Sequence, residues 1–137
     1  MTEKKINICG KEVCMIYCTA TENNYEEMSG GKSISVFVPT FKKDNAGNDI
    51  IDEPAKATIG DYVTLALAAI VAYYSKKKEE MPISAEDVLF ETTPSERNDL
   101  LSSIVELRNE WYSVPKIVEE TIKKETDGQK AEDPKNA

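Results

Sequence analysis

Three cysteines, Cys9, Cys14 and Cys18, stand close together near the start of the chain. Thiols so close invite two readings, metal ligation and redox exchange. Thiolate metal sites are built on C-x-x-C pairs with a fourth soft ligand at hand. The intervals here leave four and three residues between the thiols, and no fourth soft ligand is nearby. On extended backbone Cys14 and Cys18 would share a face about 13 Å apart, at roughly 3.3 Å per residue. An odd count does not read as a disulfide framework. All three are expected to be ordinary buried or half-buried thiols.

Gly30-Gly31-Lys32-Ser33 contains the Gly-Lys-Ser end of a phosphate-binding loop. The full pattern needs a glycine where Glu26 stands, and a strand before the loop instead of a helix. The residues fit better as the glycine C-cap of a helix running into a strand. The carboxylate pairs Glu26-Glu27, Glu79-Glu80, Glu86-Asp87 and Glu119-Glu120 are adjacent in sequence. Neighbours on a helix point in different directions, so these are solvated charges and not acid/base pairs. Histidine is absent from the whole chain. That removes the commonest general base and metal ligand, and with them every Ser/His or Cys/His nucleophile pair. The expectation is a protein with no catalytic residue, no cofactor and no metal.

The elements that must carry any binding surface follow from 137 residues, one domain's worth of chain. Net charge is −8. Such a surface repels phosphate backbones and anionic membranes, so neither nucleic acid nor membrane is expected as a partner. The most apolar run, 63–74, holds twelve residues, short of the about 20 that a membrane span needs. Nothing at the N-terminus reads as a signal peptide. Cytoplasmic residence with reduced thiols is the expectation.

Ile6 and Ile8, then Val13, Met15 and Tyr17, alternate with other residues around Gly10-Lys11, which predicts a β-hairpin. A type II′ turn at Gly10-Lys11 would set Ile8 opposite Val13 and Ile6 opposite Met15. A short helix over 20–28 follows, capped by Thr19 or Thr21. The alternation Ile34, Val36, Val38 predicts a third strand ending at Pro39. The stretch 41–57 reads either as a small hairpin around Asn45-Ala46-Gly47-Asn48 or as a mobile loop. Thr58 with Asp61 starts a helix reaching about Ser75. Ser84 with Asp87 opens a short turn of helix through Phe90. Thr93-Pro94-Ser95-Glu96 starts a longer helix that Pro115 ends near Ser113. A last helix is expected over 115–124, and 125–137 is expected to be a disordered polar, acidic tail. The fold class is α+β, a single domain over 1–124. It has a small N-terminal antiparallel sheet, the hairpin plus one or two strands, packed by three to four helices. Ile6, Ile8, Val13, Met15, Val36, Leu67, Ile70, Leu101, Ile104 and Trp111 are the expected core.

The helix over 59–75 is apolar nearly all round, so its own domain or a neighbouring subunit must bury it. Tyr73-Tyr74 and Trp111-Tyr112 each end a helix with amphipathic rings, a type favoured both in cores and at interfaces. Tyr62, Leu65, Ile70, Tyr73, Tyr74, Trp111 and Tyr112 are therefore the candidate partner-binding residues.

Ile6-Asn7-Ile8-Cys9-Gly10-Lys11-Glu12-Val13, then Tyr17, then Tyr25-Glu26-Glu27-Met28-Ser29-Gly30 resembles the opening of bacteriophage tail assembly chaperones. These often begin with an I-x-I-x-G-K-E hairpin and a short helix near F-E-x-L-T-G. The following strand, the alanine-rich helix and the ending Arg108-Asn109-Glu110-Trp111-Tyr112 are similar to versions in prophages of gut Bacteroidetes. The resemblance spans 5–124 in order of elements. It implies a non-enzymatic chaperone that binds the tape-measure protein and recruits tail tube protein during tail morphogenesis. Such chaperones are usually absent from the finished virion, often self-associate, and are often also made in a longer, frameshifted form. A homo-oligomer is accordingly among the expectations. Two other classes compete. A minor tail or head–tail connector protein would form a stable closed oligomer and stay in particles. An acidic inhibitor of a basic host protein would need an ordered row of acids. Here the acids are interspersed with lysines, as in Lys76-Lys77-Lys78-Glu79-Glu80.

Overall fold

Cys9 and Gly10 carry φ of 54° and 74°. Two successive left-handed residues make a type I′ turn, whose twist matches that of paired strands. In the computed structural model, which describes residues 2–113, this turn joins β1 (Glu3–Ile8) to β2 (Lys11–Ile16). Ile8 lies opposite Lys11 and Ile6 opposite Val13. The hairpin is the expected one, but its turn sits one residue earlier than Gly10-Lys11. The faces survive, because the altered pairing keeps the same parity along both strands. Ile8, Val13 and Met15 are fully buried on one side, while Cys14 and Ile16 are buried on the other. A non-glycine residue in the left-handed region costs roughly 1–2 kcal/mol. Cys9 is held there by its N–H, which donates to Glu96 Oε2 at 3.0 Å. Lys11 is freed to pair in the strand, and its ammonium reaches the Pro82 carbonyl at 3.0 Å.

The Gly10 Cβ position faces open space, so only backbone conformation opposes a side chain there. Gly10→Ala should therefore lower stability by about 1 kcal/mol. Urea unfolding should show a lower midpoint with an unchanged m-value.

Helix α1 (Thr19–Met28) begins at Cys18, not at Thr19 or Thr21 as a cap. Thr21 is fully buried and is needed elsewhere. Its hydroxyl donates to the Ile16 carbonyl at 2.9 Å and accepts from the Cys18 N–H at 3.2 Å. The helix closes on Gly30 and Gly31, with the Gly31 N–H donating to the Glu26 carbonyl at 2.7 Å. This is the glycine cap expected there.

The third strand expected over 33–39 is instead a 3₁₀ turn, Ile34–Phe37. Ser33 explains it: its Oγ accepts from the Ser35 N–H at 3.1 Å, and its carbonyl accepts from Val36 at 3.2 Å. These bonds hold the backbone in a turn. In a 3₁₀ turn positions i and i+3 share a face, so Phe37 goes inward with Ile34 at its side. Of the two readings of 41–57, the hairpin is the one found: β3 (Thr40–Lys43) pairs antiparallel with β4 (Asp49–Glu53). Gly47, at φ 84°, makes the turn. The strands thus form two separate two-stranded sheets instead of one larger sheet.

Helix α2 (Ile59–Lys77) starts at Thr58, whose Oγ1 accepts from the Asp61 N–H while Asp61 accepts from the Thr58 N–H. It packs against α1, β2 and α4 (Pro94–Trp111), and α4 also lies on β1. The short α3 (Ala85–Phe90) and α4 begin with the expected reciprocal caps at Ser84/Asp87 and Thr93/Glu96. The result is an α+β fold with α2 at its centre. Leu65 through Ile70 are all buried. Among the expected core residues, Ile6 and Val36 pack at its margin and Leu101 is half-buried. Trp111 is not core: it is 43% exposed. Tyr17, Tyr25, Phe37 and Leu100 are core residues outside the expected set. The expected helix over 115–124 and tail over 125–137 lie outside the described residues. Among the described residues, no helix is long and apolar enough to cross a membrane.

Candidate functional site

Tyr17 leaves the end of β2, Glu22 lies on the first turns of α1, and Trp111 and Tyr112 end α4. These three places meet. The Tyr17 ring lies 6.4 Å from Trp111 and 6.2 Å from Tyr112, centroid to centroid. Both spacings fall in the range where tilted rings attract. The Tyr17 hydroxyl donates to Glu22 Oε2 at 2.8 Å, and the Tyr112 hydroxyl donates to the same oxygen. Burial, then the bond to the Glu22 carboxylate, pushes the Tyr17 phenol well above its ordinary range. The same causes raise Tyr112. Both phenols are therefore fixed as neutral donors, suited to holding a shape and not to nucleophilic work.

Arg108 sits 4.9 Å from the Tyr112 ring centroid and 5.8 Å from Phe37. Its buried Nε has no hydrogen-bond partner among the described residues. Phe37 carries the aromatic chain inward to Tyr25 at 5.1 Å and Tyr62 at 4.9 Å. Beside Trp111 opens a groove of about 290 Å³ lined by Thr2, Tyr17, Leu107, Glu110 and Trp111. Trp111 is 43% and Tyr112 50% exposed. The groove can receive an apolar side chain, with the Glu110 carboxylate at its rim.

The other candidates divide. Tyr62 is half-buried and joins this cluster through Phe37. Tyr73 is half-buried at the far end of α2, stacked edge-on against Tyr74 at 4.8 Å. Leu65 and Ile70, at 1% and 0% exposure, belong to the core, as does Tyr74, whose hydroxyl accepts from the Cys14 N–H at 3.1 Å. None of these three presents a surface to a partner. The all-round apolar helix is covered by α1, β2 and α4 of its own chain. Tyr17 was missed because nothing in its spacing ties it to Trp111; only the strand-to-helix corner at Cys18 brings it there.

The remaining motifs are structural. Lys32 of the Gly-Lys-Ser string spends its ammonium on buried Asp61 at 3.0 Å. Cys14 is buried, Cys9 and Cys18 are half-buried, and all three are free thiols. Among the described residues, no group of three or more Cys, Asp or Glu could hold a metal ion. No family model matches this chain, and no characterised protein or solved structure is significantly similar to it, so the aromatic face is argued from its geometry alone.

Proposed function

We propose that this chain is a non-catalytic assembly factor of the phage tail assembly chaperone type, working in the bacterial cytoplasm. In this role it holds segments of a tape-measure protein and brings tail tube subunits to them. The observation that carries the reading is the exposed Trp111–Tyr112 pair beside the groove, braced from behind by Tyr17, Glu22 and Arg108. Trp and Tyr at a helix end, next to a concavity, are residue types enriched among the hot spots of protein interfaces. A groove of this kind suits the apolar stripe of a partner helix. The chain's −8 charge keeps such a carrier in solution and disfavours nucleic acid as the cargo. The order of elements, a hairpin followed by the helix that ends in Tyr25-Glu26-Glu27-Met28-Ser29-Gly30, supports the same reading.

Co-expression with fragments of the tape-measure protein encoded nearest to this gene tests it. A fragment insoluble alone should become soluble and co-purify with this chain. Trp111→Ala should weaken the complex roughly thirtyfold, or about 2 kcal/mol, without changing the circular dichroism of the free chain. Retention of the chain in purified particles, with no fragment bound in solution, would instead make it a tail or connector component.

A further inference from the structure

The hairpin β3–β4 stands apart from the core. Every residue of both strands is exposed. Phe41 and Ile51 lie directly opposite one another at 59% and 58% exposure. At its base the hairpin is tied down where the Lys56 and Ala57 N–H groups donate to the Val36 carbonyl. A lone two-stranded hairpin is marginal in water; three or more strands with an apolar face are what make a sheet stable. Among the described residues, neither outer edge of this one is paired with another strand.

Charge decides what can lie along those edges. β3 carries Lys42 and Lys43, whereas β4 carries Asp49, Asp52 and Glu53. A two-fold pairing of β3 with β3 brings two basic edges together, and of β4 with β4 two acidic edges. Like charges directly opposite destabilise a ladder. Pairing β3 of one copy with β4 of another sets lysines against acids. The hairpin itself already displays that match: Lys43 Nζ lies 2.8 Å from Asp49 Oδ1, and Lys42 Nζ lies 3.5 Å from Asp52 Oδ1.

The backbone allows the same pairing to repeat. The Asp44 N–H donates to the Asn48 carbonyl at 2.8 Å. Antiparallel alternation then makes Lys42–Ile50 the next exchanging pair, so Phe41, Lys43, Asp49 and Ile51 turn their backbone groups outward. A second copy displaced sideways without inversion brings its β4 antiparallel to the first copy's β3. Lysines on an edge strand usually guard it against pairing. Here the matching edge is acidic, so the guard against other strands is the attraction for this one.

We propose that the hairpin is a head-to-tail self-association site, in which the β3 edge of one copy takes the β4 edge of the next. The product is a continuous antiparallel sheet with Phe41 and Ile51 of successive copies in one apolar row. Such a contact uses two different surfaces, so it builds rings or filaments and not two-fold dimers. It rests on the hairpin alone and is independent of the tail-assembly reading, because the purified chain suffices to test it.

Sedimentation velocity at rising concentration, in about 150 mM salt, is the experiment. There the Debye length of about 8 Å screens the long-range repulsion between copies but spares neighbouring pairs. The mass should grow past a dimer. Lys42→Glu with Lys43→Glu makes both edges acidic and should weaken association roughly tenfold or more. Adding Asp49→Lys and Asp52→Lys restores opposite charges within and between copies, and mass growth should return. All four side chains are exposed, so the core folds in every variant. A wild-type chain that stays monomeric or stops at a dimer would overturn the proposal. So would association that the double variant leaves unchanged, or a fourfold variant that fails to regain it.

Discussion

Ile70→Asp should leave this chain unfolded. Ile70 is fully buried on α2, the helix that touches α1, β2 and α4. The substitution removes an aliphatic side chain and places a carboxylate inside the hydrophobic core. An unpaired buried charge of this kind costs several kcal/mol, and the lost packing adds about 2–5 kcal/mol more. Whole domains are stable by only about 5–15 kcal/mol. Far-UV circular dichroism should show loss of helix, and the soluble yield should collapse. Ile70→Val, which keeps the shape and trims one methylene, should cost only about 0.5–1.5 kcal/mol. The opposite outcome, a folded Ile70→Asp chain of smaller assembly size, would mean that Ile70 faces another copy, contrary to its place in the core.

Much of this fold was legible because its signals are local. Thr58/Asp61, Ser84/Asp87 and Thr93/Glu96 each need only three residues of separation to cap a helix, and each does so. The errors fall where a side chain answers to something distant or to a competing local bond. Ser33 diverts its own backbone into a 3₁₀ turn, which the alternation Ile34, Val36, Val38 cannot reveal. Cys9 adopts the left-handed turn position with help from Glu96, on another element. The candidate site was half legible for the same reason. Trp111 and Tyr112 announce themselves as amphipathic rings at a helix end. Their backing by Tyr17 and Glu22 depends on the packing of β2 and α1 beside α4. Leu65, Ile70 and Tyr74 were grouped with them because periodicity shows that a helix is apolar all round without showing what covers it.

Asp61→Asn should be costly at neutral pH, and its cost should fade in acid. Asp61 is 6% exposed. Its carboxylate accepts from the Thr58 N–H at 2.9 Å, the Lys32 ammonium at 3.0 Å and the Tyr25 hydroxyl at 3.2 Å. Burial pushes its pKa upward; the Thr58 and Lys32 bonds, with help from Tyr25, outweigh that and hold it below the ordinary carboxylate value. A carboxyl whose folded pKa is depressed stabilises the fold above its unfolded pKa, and that contribution is lost as pH falls through the folded value. At neutral pH the amide keeps the shape but loses the charge, and its NH₂ cannot accept from the donors already in place. The cost should be about 2–3 kcal/mol, from charge-assisted bonds and the weakened cap of α2. Lys32 is half-exposed, at 52% against 7% for the Asp61 side chain, so solvent screens the ion pair and Lys32→Met should cost less than about 1 kcal/mol. Urea unfolding of wild type and Asp61→Asn at neutral pH, and again well below pH ~4, reads the difference directly. The gap between the two proteins should narrow in acid, because a protonated Asp61 has itself lost the charge that the amide lacks. A gap that is constant with pH would show that Asp61 acts through packing alone.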